Sequence, residues 1–204
     1  MSLKESLGTA IRNRLMGGLF AASVGVVMVN EGISTDAYQD GAGVWTICYG
    51  ETHGVKRGQH ATKAECDAQL KTSLAEHSKA LEDLPKSTPD TVILGSLDMA
   101  YNIGIYGFKN SSVHRYIKAG DFPAASAAVL RWRYITKSSR HSPGKGWTSV
   151  SYQKWRFDCS LTFKGKPNNV CWGLWKRRQW QSAAIGLQYK TPEEALEALK
   201  LTKR

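Results

Sequence analysis

The chain has 204 residues and a mass of 22.5 kDa, enough for one domain with an appendage or for two small lobes. With 42% apolar, 10% aromatic and 22% charged residues, its composition argues against disorder, collagen and coiled coils and for a packed core. Twenty-eight Lys and Arg against 17 Asp and Glu give a formal charge of +11, which suits a polyanionic partner: nucleic acid, an anionic lipid surface or an acidic wall polymer.

The first fourteen residues are polar, with Lys4, Arg12 and Arg14, and residues 15–29, LMGGLFAASVGVVMV, carry no charge. A membrane span needs about 20 predominantly apolar residues, and this run is short and diluted by Gly17, Gly18 and Gly25. Its basic flank suits a marginal anchor with a cytoplasmic N-terminus, whereas its length suits a buried core helix. Residues 31–55 are rich in Gly and turn formers, with a β-type run at 44–49 after a turn at 40–43, and predict a small hairpin lobe. Residues 62–84 predict a helix opened by a Thr62/Glu65 capping box and ended by Pro85. Further helices are expected over 91–103, 111–119, 123 to about 134 behind an Asp121 cap, 174–187 and 192–201. Residues 136–172 show no helical period, contain two prolines and several Gly and Lys, and read as an inserted basic subdomain. The expected class is α+β: a small β-hairpin lobe, a mostly helical lobe and an insertion.

Four cysteines form two local pairs, Cys48 with Cys66 and Cys159 with Cys171. None lies in a Cys-x-x-Cys pattern and the histidines are not spaced with them as zinc ligands, so two disulfides suit them better than a metal site. Four reduced, buried cysteines are the alternative.

The constellation that carries chemistry is Glu31, Asp40 and Thr46, spaced Glu-x8-Asp-x5-Thr. A Glu ending an apolar helix emerges at a low-dielectric edge, which suits a general acid, while an Asp in a polar turn stays ionised. An acid and a base across a cleft are what glycosidic hydrolysis requires. By itself such a pair is weak, because 17 acidic residues produce many pairs by chance.

The surrounding residues sharpen it. A helix ending in Glu-Gly, an A-Y-x-D turn and then GVWTICYG resemble the phage lysozymes of the T4-like family, the muramidase endolysins. In the family's order follow TKAEC at 62–66, AYNIG at 100–104, FKNSS at 108–112, GDF at 120–122, Arg131 with Trp132, and GLWKRR at 173–178. The resemblance implies a lysozyme-like fold in which Glu31 protonates the glycosidic oxygen, Asp40 positions or activates water and Thr46 holds that water, in an inverting hydrolysis. It further implies that Thr52, Tyr101, Asn102, Ser111 and Ser126 line a saccharide groove; Tyr101 as a core aromatic and Ser126 as a helix contact are the bland alternatives. The chain departs from the family at Glu51, where many relatives have His, and in lacking a frequent Glu after Arg178.

Some of these endolysins carry a weak signal anchor before the catalytic domain, and 15–29 looks like such a signal-anchor-release segment. The division implied is an N-terminal segment, 1–30, and a catalytic domain, 31–204, with the insertion at about 136–172. The expected partners are peptidoglycan and, transiently, the host secretion machinery and inner membrane, with later release to the periplasm; the alternative is a cytoplasmic enzyme that waits for a holin. A monomer is expected, with no cofactor, no metal and no nucleic acid. The rival classes are a non-catalytic basic wall- or nucleic-acid-binding module and a small membrane-perforating protein.

Overall fold

A computed structural model describes residues 14, 18–40 and 43–203. Helix α1, Gly18–Glu31, buries Leu19, Ala22, Ser23, Val26 and Val27, a stripe at three- and four-residue spacing that faces a core. It packs on α3, Asp90–Ile103, and α8, Pro192–Lys203. So the described part of the apolar run is a core helix, while residues 1–13 and 15–17 lie outside the described residues. Among the described residues no helix is long and apolar enough to cross a membrane. Gly32, at φ +70°, ends α1 by donating from its N–H to Met28 O at 3.1 Å. Only a residue at ease in the left-handed region closes a helix this way, and the turn leaves Glu31 at the rim.

Strands β1, Ser34–Gln39, and β2, Trp45–Cys48, form the expected hairpin, antiparallel with Tyr38 opposite Thr46. Helix α2, Lys63–His77, opens with the predicted capping box: Glu65 N–H donates to Thr62 Oγ1 and Thr62 N–H to Glu65 Oε2. It stops earlier than Pro85 because Ser78–Leu81 tightens into a 3-10 turn. Helix α3 is the most buried element, with every residue from Thr91 to Ala100 in the interior. Then come α4, Ile105–Lys109, α5, Ser112–Lys118, and α6, Phe122–Val129. The sequence predicts no helix at α4, since Gly104 before it and Gly107 within it read as a break. Helix α6 is shorter than expected: after a 3-10 turn at Leu130–Trp132, Tyr134 already begins a strand.

The insertion is a β subdomain. Strands β3, Tyr134–Ser138, β4, Trp147–Ser151, and β5, Lys154–Asp158, form an antiparallel sheet in the order β3-β5-β4, followed by a small hairpin of β6, Thr162–Phe163, and β7, Lys166–Pro167. Phe157 is its fully buried centre, packed against Trp147 and Phe163. Helix α7, Trp172–Ile185, returns the chain to the core, where Trp180 N–H donates to Ala195 O and ties α7 to α8. Both expected disulfides, Cys48–Cys66 and Cys159–Cys171, are formed. The first joins β2 to α2 and the second closes the base of the β subdomain.

Candidate active site

Glu31 lies at the C-terminal end of α1 with a side chain 22% exposed, and its Oε1 accepts from Arg177 Nη1 at 2.5 Å. The expected apolar surroundings are therefore not what the fold supplies; the nearest charge is a guanidinium. Arg177 belongs to α7 and is itself held from behind. Its Nε donates to Asp98 Oδ2 at 3.0 Å and its Nη2 to Asp98 Oδ1 at 2.7 Å, a bidentate pair that fixes the plane of the group. Asp98, on α3, is 1% exposed and also accepts from Gln181 Nε2 at 2.6 Å and Asn30 Nδ2 at 3.1 Å. A carboxylate buried so deeply has to be paired and hydrogen-bonded throughout.

Burial works against the charge on Arg177, but Asp98 and Glu31 outweigh it and push its pKa above the ordinary arginine value. The neighbouring Arg178 goes the other way. Its hydrogen bonds run to Trp132 O, Gln181 Oε1 and Asn102 Oδ1, all neutral, and burial followed by repulsion from Arg177 pushes its pKa down to about 10. Two arginines thus balance two carboxylates in one cluster shared by α1, α3 and α7.

The turn that follows the hairpin lies against Glu31, at the edge of this cluster. Asp40 sits at the turn of the hairpin itself, with Oδ1 accepting from Val44 N–H at 2.9 Å. Thr46 is 4% exposed and donates from Oγ1 to Val44 O at 3.0 Å. Both polar side chains are oriented through the same residue, and the Thr46 oxygen, its proton committed, keeps lone pairs to accept from water. Beyond β2 the chain turns at Gly50, φ +90°, where a Cβ would stand 3.7 Å from Glu31 Oε2, so the turn lies directly on the Glu31 carboxyl group. This turn is clamped by the Cys48–Cys66 bridge, by Tyr49 donating from its hydroxyl to Asp67, and by Tyr101 donating from its hydroxyl to Tyr49 O at 2.9 Å. Glu51 accepts from the N–H groups of Thr52 and His53 and so stiffens the turn.

The expected groove residues separate into two groups. Thr52 and Asn102 are exposed near the hairpin turn and the arginine pair. Tyr101 is half-buried, its ring 4.9 Å from that of His77, with its hydroxyl engaged as above. Ser111 is the cap of α5, accepting from His114 N–H and donating to Phe108 O. Ser126 joins α6 to α7 through Ser182. Both serine hydroxyls are committed to packing.

Nothing in the sequence alone gives a role to Arg177, Asp98, Asn30 or Gln181. A signal for Asp98 was present, because a lone Asp inside TVILGSLDMAYNI has to be paired if the helix is buried. The phenol of Tyr101 is pushed up to about 12 by burial and then by the charge of Glu31, and that of Tyr49 also to about 12 by burial and Asp67. Both folded values exceed the ordinary 10.0, so the stability linked to these groups is present below pH 10 and is lost as pH rises through about 12. Absorbance at about 295 nm should show two late-titrating phenols, one fewer in each of Tyr49→Phe and Tyr101→Phe; a wild-type titration complete by about pH 11 would contradict this.

A family model described as phage lysozyme matches residues 29–146, taking in Glu31, the hairpin and α2 to α6. The chain is 33% identical over 156 residues to the SAR-endolysin of Enterobacteria phage P21, covering 72% of this chain and 90% of that protein. With the SAR-endolysin of Escherichia phage 933W it shares 36% over 163 residues, 75% of this chain and 76% of that protein. Among solved structures, the endolysin from Escherichia coli O157:H7 phage FAHEc1 superposes with a TM-score of 0.61 at 20% identity, covering 83% of this chain and 94% of that one. The active form of the P1 phage endolysin Lyz gives 0.57 at 19% identity over 90% and 97% of the two chains.

Proposed function

Because this chain belongs to the phage lysozyme family, we propose that it hydrolyses the β-1,4 bond between N-acetylmuramic acid and N-acetylglucosamine, with Glu31 as general acid and Asp40 and Thr46 placing the attacking water. It is a lysozyme-type peptidoglycan hydrolase, an endolysin of the SAR type. Glu31 at the end of α1, held on one side by Arg177 and covered on the other by the Gly50 turn, is the observation that supports the proposed chemistry. In the step proposed, the glycosidic C–O bond breaks as its oxygen takes the proton of Glu31. Water adds to the anomeric carbon from the opposite face and gives its proton to Asp40. Arg177 then stabilises the carboxylate left on Glu31, and its own orientation is fixed beforehand by Asp98. Thr52 and Asn102 are the exposed candidates for saccharide contact. Tyr101 contributes by carrying the hairpin turn, while Ser111 and Ser126 act at one remove through α5 and α6.

The signal-anchor reading concerns a different state of the same segment. In the state described here the apolar stripe of α1 is inside the core, which supports reading this as the released form, with the acid presented only once α1 has joined α3 and α8. Export through the host secretion machinery, tethering to the inner membrane and release to the periplasm are parts of this proposal.

The test is product chemistry. Purified peptidoglycan digested with wild type should yield new reducing ends on N-acetylmuramic acid, detected as muramitol after borohydride reduction, with the α-anomer formed first if the reaction inverts. Anhydro ends, or new amino termini without reducing ends, would overturn the muramidase reading.

A further inference from the structure

We propose that the outer face of the β3-β5-β4 sheet binds the carboxylates of peptidoglycan stem peptides and so holds the anionic wall beside the active site; this rests on the hydrolase reading above. Charge is the first observation. Residues 133–171 contain eight Lys and Arg and a single acidic residue, Asp158, leaving 20 Lys and Arg against 16 Asp and Glu in the rest of the chain. The excess positive charge is therefore concentrated on the insertion. Asp158 is already committed, accepting from Arg133 Nε at 3.0 and 3.1 Å and from Ser160. Lys154 and Arg156 are exposed and make no ion pair among the described residues.

Register supplies the second observation. Arg156 lies between Thr136 and Thr148 in one row across the sheet, and Lys154 between Ser138 and Ser151 in the next. Strand alternation puts these residues on one face, and Trp155 and Phe157 on the other. The result is two cations framed by hydroxyl donors, a surface suited to carboxylates.

The aromatic residues argue against sugar stacking as the main interaction. The ring of Tyr134 is engaged by Arg156 at 4.7 Å and Arg133 at 5.0 Å. Trp155 donates from its indole N–H to Ser139 O, and Trp147 and Phe163 pack on Phe157. Tyr152 is the exception, open at the β4–β5 tip.

The patch is also rigid and well placed. The Cys159–Cys171 bridge closes its base, where buried Asn168 donates to Cys159 O and Leu161 O and accepts from the N–H groups of Val170 and Cys171. Cys171 directly precedes α7, which carries Arg177, and Trp132 at the other root accepts from Arg178. The charged sheet is thereby fixed to the helix whose Arg177 holds Glu31, so wall bound to it is kept near the active site.

The experiment compares wild type with Lys154→Ser/Arg156→Ser, with Lys154→Ser alone as a graded variant and the melting temperature as the folding control. Binding is measured in a Glu31→Gln background by co-sedimentation with intact sacculi, with sacculi stripped of stem peptides by an amidase, and with vesicles of anionic phospholipid. At low salt the double variant should bind intact sacculi about tenfold more weakly, with the difference closing as screening increases. In the active background its KM on intact wall should rise by a similar factor with kcat retained, and on stripped glycan the proteins should behave alike. Equal binding to intact sacculi, an equal loss on stripped glycan, or a loss confined to vesicles would each overturn the proposal, the last in favour of a membrane surface. Failure of the muramidase reading would appear separately, as wild-type digests without reducing ends.

Discussion

Glu31→Gln is expected to lower the rate of wall hydrolysis about a thousandfold, with the fold intact. Glutamine has the same shape and its carbonyl oxygen still accepts from Arg177, but it has no acidic proton to transfer to the departing sugar oxygen. Removing a general acid typically costs a factor of 10² to 10⁴. Stability should change by no more than about 1 kcal/mol, because the charge is lost at the partly exposed rim and not in the interior, Arg177 keeps its bidentate pair with Asp98 and no buried group is left without a partner. Reducing-end release and urea unfolding on the same preparation check both halves. More than a tenth of wild-type activity in a folded variant would remove Glu31 from the role of acid.

Asp98→Ala should be the most destabilising single change near the site. It removes the acceptor of two Arg177 bonds, one from Gln181 and one from Asn30, and leaves the cluster with two arginines and one carboxylate. Breaking a buried pair from one side costs about 3–5 kcal/mol, which for a chain of this length corresponds to a fall in melting temperature on the order of 10 °C. The penalty comes largely from the charge left behind, so Asp98→Leu combined with Arg177→Met should recover part of it. That double variant should still hydrolyse wall poorly, because nothing then stabilises the carboxylate of Glu31 after proton transfer. A double variant no more stable than Asp98→Ala would mean that the pair itself, rather than an unpaired charge, carries the energy.

Local features of this molecule were legible in the chain because their causes are local. The Thr62/Glu65 box, the Asp121 cap, which accepts from Ala124 N–H, and the hairpin around Asp40 each depend on residues a few positions apart. The two disulfides link neighbours 18 and 12 residues apart, and their local pairing pointed to them. Glu31, Asp40 and Thr46 lie within one short stretch, so the resemblance to phage lysozymes could be read from it directly. Periodicity was less informative where elements are short. The five-residue α4 has too few turns to show a period, and the alternation in Lys154-Trp155-Arg156-Phe157 is a single strand's worth inside an otherwise irregular insertion.

Local pattern in the chain accounts for the main helices and their caps, the cysteine pairs, the hairpin that carries Asp40 and Thr46, and the placing of Glu31 at the end of the helix before it. The surroundings of Glu31 come from packing alone. Its guanidinium partner lies 146 residues further on, and the carboxylate that holds this guanidinium lies on a third helix, 79 residues before it. A charge can remain in a low-dielectric interior only where opposite charge and hydrogen-bond donors converge on it. That convergence is a property of how α1, α3 and α7 pack, which no local pattern in any one of them records.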